Sequence, residues 1–225
     1  TYPVTVDADG VVIEVEIENI RIRGTVQLTK ADRDYPDNKL TGAEFTIYCD
    51  SNGNKELDAD DERLGTLTET GIGVYEMADL LYGGYFVKET KAPEGFYLDG
   101  NAYYFEITED GKTATVENEA GKGFVNAPQV GSLKIIKTSS DGKVEGFSFR
   151  VTGPNGYVGV FTTDKNGEII IDDLRIGEYV VSEVSDGASS AYVLPADKTA
   201  SVYEGAVTKV ERHNELRDTP ITGDD

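Results

Sequence analysis

Short runs of alternating apolar and polar residues recur along this chain, and they predict β-strands. In the segment 25–30, for example, Val26, Leu28 and Lys30 fall on one face, because successive side chains of a strand point to opposite sides. Turn-forming residues separate the runs, and the chain has 25 Gly, 13 Tyr and no Trp. The pattern predicts an all-β protein with many turns.

The chain repeats its own pattern, which predicts two tandem domains. The segment 173–183 has the same order of apolar, glycine and acidic positions as the segment 79–89. The chain has 225 residues, a length that suits about two domains. We therefore predict one β-sandwich at residues 24–130 and a second at residues 131–218.

Residues 1–23 are too few for a domain, but they contain a clean alternating run of apolar residues and glutamates. The run ends near Asn19, which precedes Gly24 by five residues, as Asn126 precedes Gly131. We predict that residues 1–23 are the last hairpin of a preceding repeat. Asn19 would then be an acceptor whose lysine lies upstream.

Three polar residues occupy strand positions that the alternation assigns to an apolar face. Lys30, Glu89 and Asn126 each lie two residues after an apolar residue of the same face. Burial favours the neutral form of an ionisable group, so it lowers the pKa of an amine. A neutral amine can attack a carboxamide while a nearby acid polarises the carbonyl and relays protons, and ammonia leaves. This constellation predicts an amide bond between Lys30 and Asn126.

The second half contains the same three residue types at Lys137, Glu183 and Asn214. Its last strand fits the pattern less well, because Arg212 interrupts the apolar face ahead of Asn214. We predict a second Lys–Asn bond here.

The segment around Glu89 resembles the E-box of the Cna B-type (SpaA-like) domains found in Gram-positive pilins and sortase-anchored surface proteins. The matching positions are Tyr85, Val87, Glu89, Thr90, Ala92, Pro93, Gly95 and Phe96. The resemblance implies a prealbumin-like, reverse immunoglobulin-like sandwich with an isopeptide bond between its first and last strands. It implies that Lys30 and Asn126, and likewise Lys137 and Asn214, are the bonded pairs.

By the same resemblance, Glu89 and Glu183 are the acids that assist the two bonds. The second E-box is degenerate, because the segment 186–189 replaces the Ala-Pro-Glu-Gly of the first. This departure bears on the second bond and leaves the predicted fold unchanged.

An acidic stretch between two predicted strands raises the question of calcium. Oxygen-bearing residues follow the spacing of a calcium loop, with a Lys at the usual Gly position and an Asp at the usual terminal Glu position. The stretch is similar to the Asp/Asn-rich loops of calcium-binding B repeats in staphylococcal-type adhesins. The alternative is a solvated acidic loop. The candidate ligands are Asp50, Asn52, Asn54, Glu56, Asp58 and Asp61.

Residues 219–225 follow the last predicted strand. Thr219, Pro220, Ile221, Thr222 and Gly223 resemble a variant of the Leu-Pro-x-Thr-Gly sortase signal. The resemblance implies cleavage after Thr222 and its attachment to peptidoglycan or to another pilin subunit. A polar turn is the alternative interpretation.

Composition excludes several classes of function. The net charge of -21 argues against binding to nucleic acid or anionic membranes. Cys49 is the only cysteine, so no intrachain disulfide is possible. His213 is the only histidine and belongs to no recognisable Ser/His/Asp set or Cys/His cluster, so the sequence gives little support to nucleophilic catalysis or zinc binding. No apolar run is long enough to predict a membrane-spanning segment.

We therefore predict a structural stalk or pilin segment of a secreted, cell-wall-anchored surface protein. It would not be an enzyme with turnover and would require no cofactor for its bonds. One alternative is an adhesin module that binds a host protein or glycan through loops such as 50–64. Another is an accessory sandwich of a secreted polysaccharide-degrading enzyme. Two bonds predict an intact mass lower by two ammonia molecules.

Overall fold

The computed structural model describes residues 3–5, 7–10 and 12–218, and it contains two stacked-sheet units in tandem. Within this part of the chain the regular structure is β-strand, apart from one short 3-10 turn at Pro154–Gly156. The predicted all-β class with two tandem sandwiches is confirmed. None of the helices in the described residues could span a membrane.

The first unit has nine strands: β1 (Arg23–Asp32), β2 (Glu44–Cys49), β3 (Glu62–Thr66), β4 (Thr68–Gly71), β5 (Val74–Leu81), β6 (Gly83–Lys91), β7 (Ala102–Ile107), β8 (Thr113–Thr115) and β9 (Phe124–Asn126). They form two sheets, ordered β4-β5-β1-β8 and β3-β2-β6-β7, and β9 also pairs with β1. The core between them includes Val26, Leu28, Phe45, Val87 and Phe124.

The second unit has eight strands: β10 (Val130–Ser139), β11 (Ser148–Thr152), β12 (Val158–Thr162), β13 (Glu168–Arg175), β14 (Gly177–Glu183), β15 (Tyr192–Val193), β16 (Lys198–Val202) and β17 (Val207–Leu216). Its sheets are ordered β13-β10-β17-β15 and β12-β11-β14-β16. Leu133, Ile135, Phe149, Val181 and Val210 are among its core residues.

In each unit the first and last strands are parallel neighbours. β9 lies beside β1, and β17 lies beside β10. A glutamate-bearing strand, β6 or β14, belongs to the facing sheet. This topology brings one residue from each of three distant segments to the same interior position.

The acidic stretch is a loop between β2 and β3, as predicted. The corresponding connection of the second unit, between β11 and β12, is the short turn at Pro154–Gly156. The stretch is therefore an insertion into a shared pattern.

The alternating run that ends near Asn19 predicts a strand, and this prediction is wrong. The described residues from 12 to 22 form no strand, and Asn19 is exposed. Alternation of apolar and polar residues gives a strand one apolar side, but the backbone N–H and C=O groups also need a neighbouring strand as hydrogen-bond partner. Whether residues 1–23 complete a preceding repeat stays a prediction.

The two units contact each other through Arg175 at the end of β13. Its guanidinium donates to both carboxylate oxygens of Asp32, at 2.5 and 2.9 Å, and to Asp34 at 2.8 Å. The rings of Tyr35 and Phe96 lie 5.1 and 5.9 Å from its central carbon. Because the Asp32 side chain has no exposure, this bidentate ion pair ties the end of β1 to the second unit.

Candidate functional site

The first candidate site is assembled by β1, β6 and β9. Lys30 pairs with Phe124 in the parallel ladder, and Asp32 pairs with Asn126. Glu89 reaches the same place from β6 in the facing sheet. The side chains of Lys30, Glu89 and Asn126 are buried, at 0%, 1% and 2% exposure. The alternation predicted this burial for all three.

Glu89 lies between the lysine and the asparagine. Its Oε1 is 3.4 Å from Lys30 Nζ, and the same oxygen accepts a hydrogen bond from Asn126 Nδ2 at 2.9 Å. Asn126 Nδ2 also donates to Glu89 Oε2 at 2.9 Å. The amine, the acid and the carboxamide therefore form one contiguous buried cluster.

The lysine amine is also directed toward the last strand. Lys30 Nζ donates to the backbone carbonyl of Phe124 at 3.1 Å and lies 5.2 Å from the centre of the Phe124 ring. Burial lowers the pKa of Lys30 from 10.5 to about 8, although the charge and hydrogen bond of Glu89 oppose the shift. A pKa near neutrality gives an appreciable fraction of uncharged amine under ordinary conditions.

Asn126 Oδ1 is a buried acceptor without a hydrogen-bond partner in the described part of the chain. Such a group carries a desolvation cost that a partner would relieve. A half-turn of the carboxamide would direct this oxygen toward Glu89, which now accepts from the amide nitrogen.

Sequence reasoning missed two residues that hold the cluster in place. The backbone N–H of Asp99 donates to Glu89 Oε2 at 2.8 Å, and its carboxylate accepts from Tyr103 and Asn118. Asn118 in turn bonds both the N–H and the C=O of Val125, one residue before Asn126. Asp99 lies three residues after the last E-box position, Phe96, in a turn-forming segment, whereas nothing in the sequence singled out Asn118.

The second candidate site has the same topology but a looser arrangement. Ser139 pairs with Asn214, as Asp32 pairs with Asn126, so Lys137 and Asn214 occupy equivalent positions. Lys137 is 1% exposed and Asn214 is fully buried. Asn214 Nδ2 donates to Glu183 Oε1 at 2.5 Å. The alternation predicted the burial of Lys137 and Asn214.

The lysine of the second site has different contacts. Lys137 Nζ donates to the carbonyl of Thr138 at 2.5 Å and lies 4.2 Å from the centre of the Phe147 ring. Burial lowers the pKa of Lys137, against the charge of Glu183. Burial also raises the pKa of Glu183, against its hydrogen bond from Asn214.

The loop from residue 50 to residue 61 is closed by its own polar groups. Asp50 accepts from the N–H of Gly53 at 2.9 Å, and Asp61 accepts from Ser51 at 3.0 Å. The amides of Asn52 and Asn54 donate to Asp58 Oδ2 at 3.2 and 2.8 Å. Five of the six candidate ligands, all but Glu56, thus take part through their side chains in the hydrogen bonds that close this loop.

Lys55 adopts the backbone conformation that the missing glycine would supply, with φ of 62°. Its amine points out of the loop to Glu106, at 2.8 Å. The loop side chain of Glu56 is exposed. Within the described residues, no group of three or more His, Cys, Asp or Glu side chains forms a metal-holding cluster.

The remaining predicted site residues fall elsewhere. Thr219, Pro220, Ile221, Thr222 and Gly223 lie outside the described residues. Asn19, the predicted acceptor of a preceding repeat, lies in exposed irregular chain rather than in a buried cluster.

The fold and these buried clusters define a prealbumin-like domain class. The family described as SpaA, prealbumin-like fold domain, matches residues 24–122 and 131–216. The chain therefore belongs to this family, and the resemblance noted in the sequence is confirmed.

Three relatives illustrate the similarity. The Bacillus anthracis TIE protein structure has a TM-score of 0.66 at 25% identity, over 86% of this chain and 34% of that one. Colossin-A of Dictyostelium discoideum is 25% identical over 161 residues, 64% of this chain and 1% of its own length. GBS52, the minor pilin of Streptococcus agalactiae, has a TM-score of 0.40 at 16% identity, over 90% of this chain and 100% of its own. The chain thus spans about a third of the TIE structure and a very small part of Colossin-A.

Proposed function

We propose that this chain is a structural stalk or pilin segment of a Gram-positive surface protein, strengthened by Lys–Asn isopeptide bonds. The observation that carries the proposal is the buried cluster in which Glu89 contacts both Lys30 and Asn126. Membership of the SpaA family supports a role on the cell surface.

The proposed reaction joins two side chains of the same molecule. Lys30 Nζ attacks Cγ of Asn126, a new Nζ–Cγ bond forms, and the Cγ–Nδ2 bond breaks. One hydrogen passes from Nζ to Nδ2, which leaves as ammonia. Glu89 lies between donor and acceptor, at 3.4 and 2.9 Å, where it can relay that proton and polarise the carbonyl.

A surface cleft beside the cluster would give the ammonia a way out. Asn126 lines a surface cleft of about 360 Å³ together with Asp99, Tyr103 and Asn118. The leaving group therefore does not have to cross the core. Because the reaction consumes its own side chains, each site reacts once and has no turnover.

The consequence of the bond is mechanical. β1 and β9 are the first and last strands of the unit, and the bond would join them covalently. A pulling force on the ends would then pass through the bond instead of shearing the strand pairing. An amide, unlike a disulfide, resists reduction, which suits a chain with the single cysteine Cys49.

The second cluster, formed by Lys137, Glu183 and Asn214, is proposed to form the corresponding bond. Its support is the same strand register and the hydrogen bond from Asn214 to Glu183. Completion of both reactions would lower the mass of the chain by two ammonia molecules.

We propose that the loop from residue 50 to residue 61 binds a calcium ion. Carboxylate and amide oxygens are the donors that calcium prefers, and Asp50, Asn52, Asn54, Asp58 and Asp61 would hold it. The left-handed conformation of Lys55 supports this, because it supplies the turn that a glycine makes in such loops. A bound cation would neutralise the loop carboxylates and stiffen the connection between β2 and β3.

The attachment proposed for this protein uses the tail at residues 219–225. A sortase that recognises the signal-like sequence there would join Thr222 to peptidoglycan or to another pilin subunit. Incubation of the chain with a sortase and an amine nucleophile tests this proposal. Cleavage between Thr222 and Gly223 supports it, and an uncut tail contradicts it.

The test of the central proposal is peptide mapping of the purified chain and of Glu89→Ala. We expect a linked pair of peptides containing Lys30 and Asn126 in the parent chain and none in the variant. Asp186→Ala, an acid substitution outside both clusters, is the control and should retain the link. Unlinked peptides in the parent chain would contradict the proposal.

A further inference from the structure

The two candidate sites differ at the residue that faces the lysine. On β9 this residue is Phe124, which pairs with Lys30. On β17 it is Arg212, which pairs with Lys137. Residues paired in register on parallel strands point to the same side of the sheet. Two cationic side chains therefore lie next to each other in the second unit, where the first has a cation and an aromatic ring.

Arg212 is buried and incompletely partnered. Its exposure is 4%, and its Nη2 donates to the carbonyl of Pro195 at 3.2 Å. Its Nε is a buried donor without a partner among the described residues. Glu183 Oε2 is a buried acceptor in the same situation. The charge of Glu183 acts on both the arginine and the lysine, while Asp197 is a second negative group near Arg212 and Asp141 a second one near Lys137.

The position of the lysine amine reflects this competition. In the first unit, Lys30 Nζ is 3.4 Å from the acid and donates to the last strand at Phe124. In the second, Lys137 Nζ donates to Thr138 on its own strand. The ion pairs of the described residues include none within 4.0 Å between Glu183 and either Lys137 or Arg212, so the influence of the arginine on the acid is that of a nearby charge and not of a direct contact. Two adjacent buried cations repel, which places the amine away from the acid and toward the Phe147 ring.

We propose that Arg212 retards the Lys137–Asn214 bond by competing with Lys137 for Glu183, so that the second unit cross-links more slowly than the first. This inference rests on the proposed function. Arg212 acts through the lysine and the acid, so it is a positioning residue and not a catalytic one.

The chemistry gives the direction of the effect. The bond requires Nζ to attack Cγ of Asn214 and an acid to donate a proton to the carbonyl while ammonia leaves. Burial raises the pKa of Glu183, and the charge of Arg212 opposes that shift, so the arginine favours the carboxylate form and works against the proton donor. The charge of Arg212 also lowers the pKa of Lys137, which by itself would favour attack, but the amine is not directed at the last strand.

The test is a time course of cross-linking in the full chain during cell-free synthesis. Peptide mapping follows the Lys30–Asn126 and Lys137–Asn214 links separately, so the first unit is an internal reference. We expect the first link to be complete while the second is partial. In Arg212→Met the second link should form faster than in the parent chain and approach the rate of the first link, because the charge that opposes the raised pKa of Glu183 is gone.

Two further variants separate charge from structure. Arg212→Lys keeps the positive charge and should stay slow, which a purely steric role would not predict. Phe124→Arg places the same charge in the first unit and should slow the Lys30–Asn126 link. Resistance of each variant to trypsin shows whether it is folded.

Each outcome has one meaning. The role of Arg212 is overturned if the second link forms as fast as the first in the parent chain, or if Arg212→Met slows the second link. Neither result contradicts the proposed Lys30–Asn126 bond. If Arg212→Met does not fold, Phe124→Arg decides, and an unchanged first link overturns the inference. Absence of the first link in the parent chain contradicts the proposed function itself.

Discussion

Replacing Asn126 by alanine removes the proposed acceptor but keeps the Lys30–Glu89 contact. The bond would close a loop of 96 residues (126 − 30). By analogy with a disulfide, such a closure stabilises the folded state by about 4–5 kcal/mol through the unfolded chain. The lost hydrogen bonds to Glu89 would add about 1–3 kcal/mol. We expect Asn126→Ala to lower the free energy of unfolding of the first unit by at least the closure value.

Hydrogen exchange measured by mass spectrometry is a suitable assay, because it resolves the two units in one molecule. The slowest amides of β1 should exchange roughly a thousandfold faster in Asn126→Ala, as expected for about 4–5 kcal/mol. The amides of β10 in the same sample are the control and should change little. A β1 exchange rate within about tenfold of the parent would refute the reasoning.

A double-mutant cycle separates the bond from ordinary packing. Lys30→Met and Asn126→Ala each remove the same covalent link, so the double variant should lose it only once. The coupling between the two substitutions should therefore approach the closure value of about 4–5 kcal/mol. Additive effects would mean that no bond joins the two side chains.

Three further predictions concern other parts of the molecule. Because the pKa of Lys30 is lowered to about 8, its amine is mostly charged below that pH and mostly neutral above it. Ammonia loss from the newly made chain should therefore accelerate as the pH rises from about 6 to about 9, and a rate that does not change with pH would contradict this. Arg175→Met leaves the buried Asp32 carboxylate without its cation and should cost about 3–5 kcal/mol, seen as faster exchange at the end of β1; unchanged exchange there would count against the inter-domain ion pair. Calorimetric titration should show calcium binding that Asp58→Ala abolishes and Lys55→Gly retains, whereas equal heats in the parent chain and Asp58→Ala would argue against the loop site.

The first cluster was predictable because a sandwich strand buries every second residue. That period alone placed Lys30, Glu89 and Asn126 in the core, where a polar residue needs a specific partner. The same rule predicted burial of Lys137 and Asn214. It also marked Arg212 as out of place, but it could not show that the lysine amine turns to Thr138.

Other features depend on contacts between residues that are far apart in the sequence, which the alternation of apolar and polar residues does not predict. The Arg175–Asp32 ion pair joins residues 143 positions apart, so it depends on how two folded units meet. The support of the first cluster by Asn118 likewise depends on a loop conformation. Near Asn19 the alternation was present but no strand formed among the described residues, because a strand also requires a neighbour.

The central claim is that the lysine, acid and carboxamide of the first unit react to form a covalent bond. The intact mass of the purified chain tests it most directly, with Glu89→Ala measured beside it. The account predicts a parent mass below the sum of its residues by one ammonia for each completed bond, and one ammonia fewer lost in the variant. A parent mass equal to the sum of its residues would contradict the account.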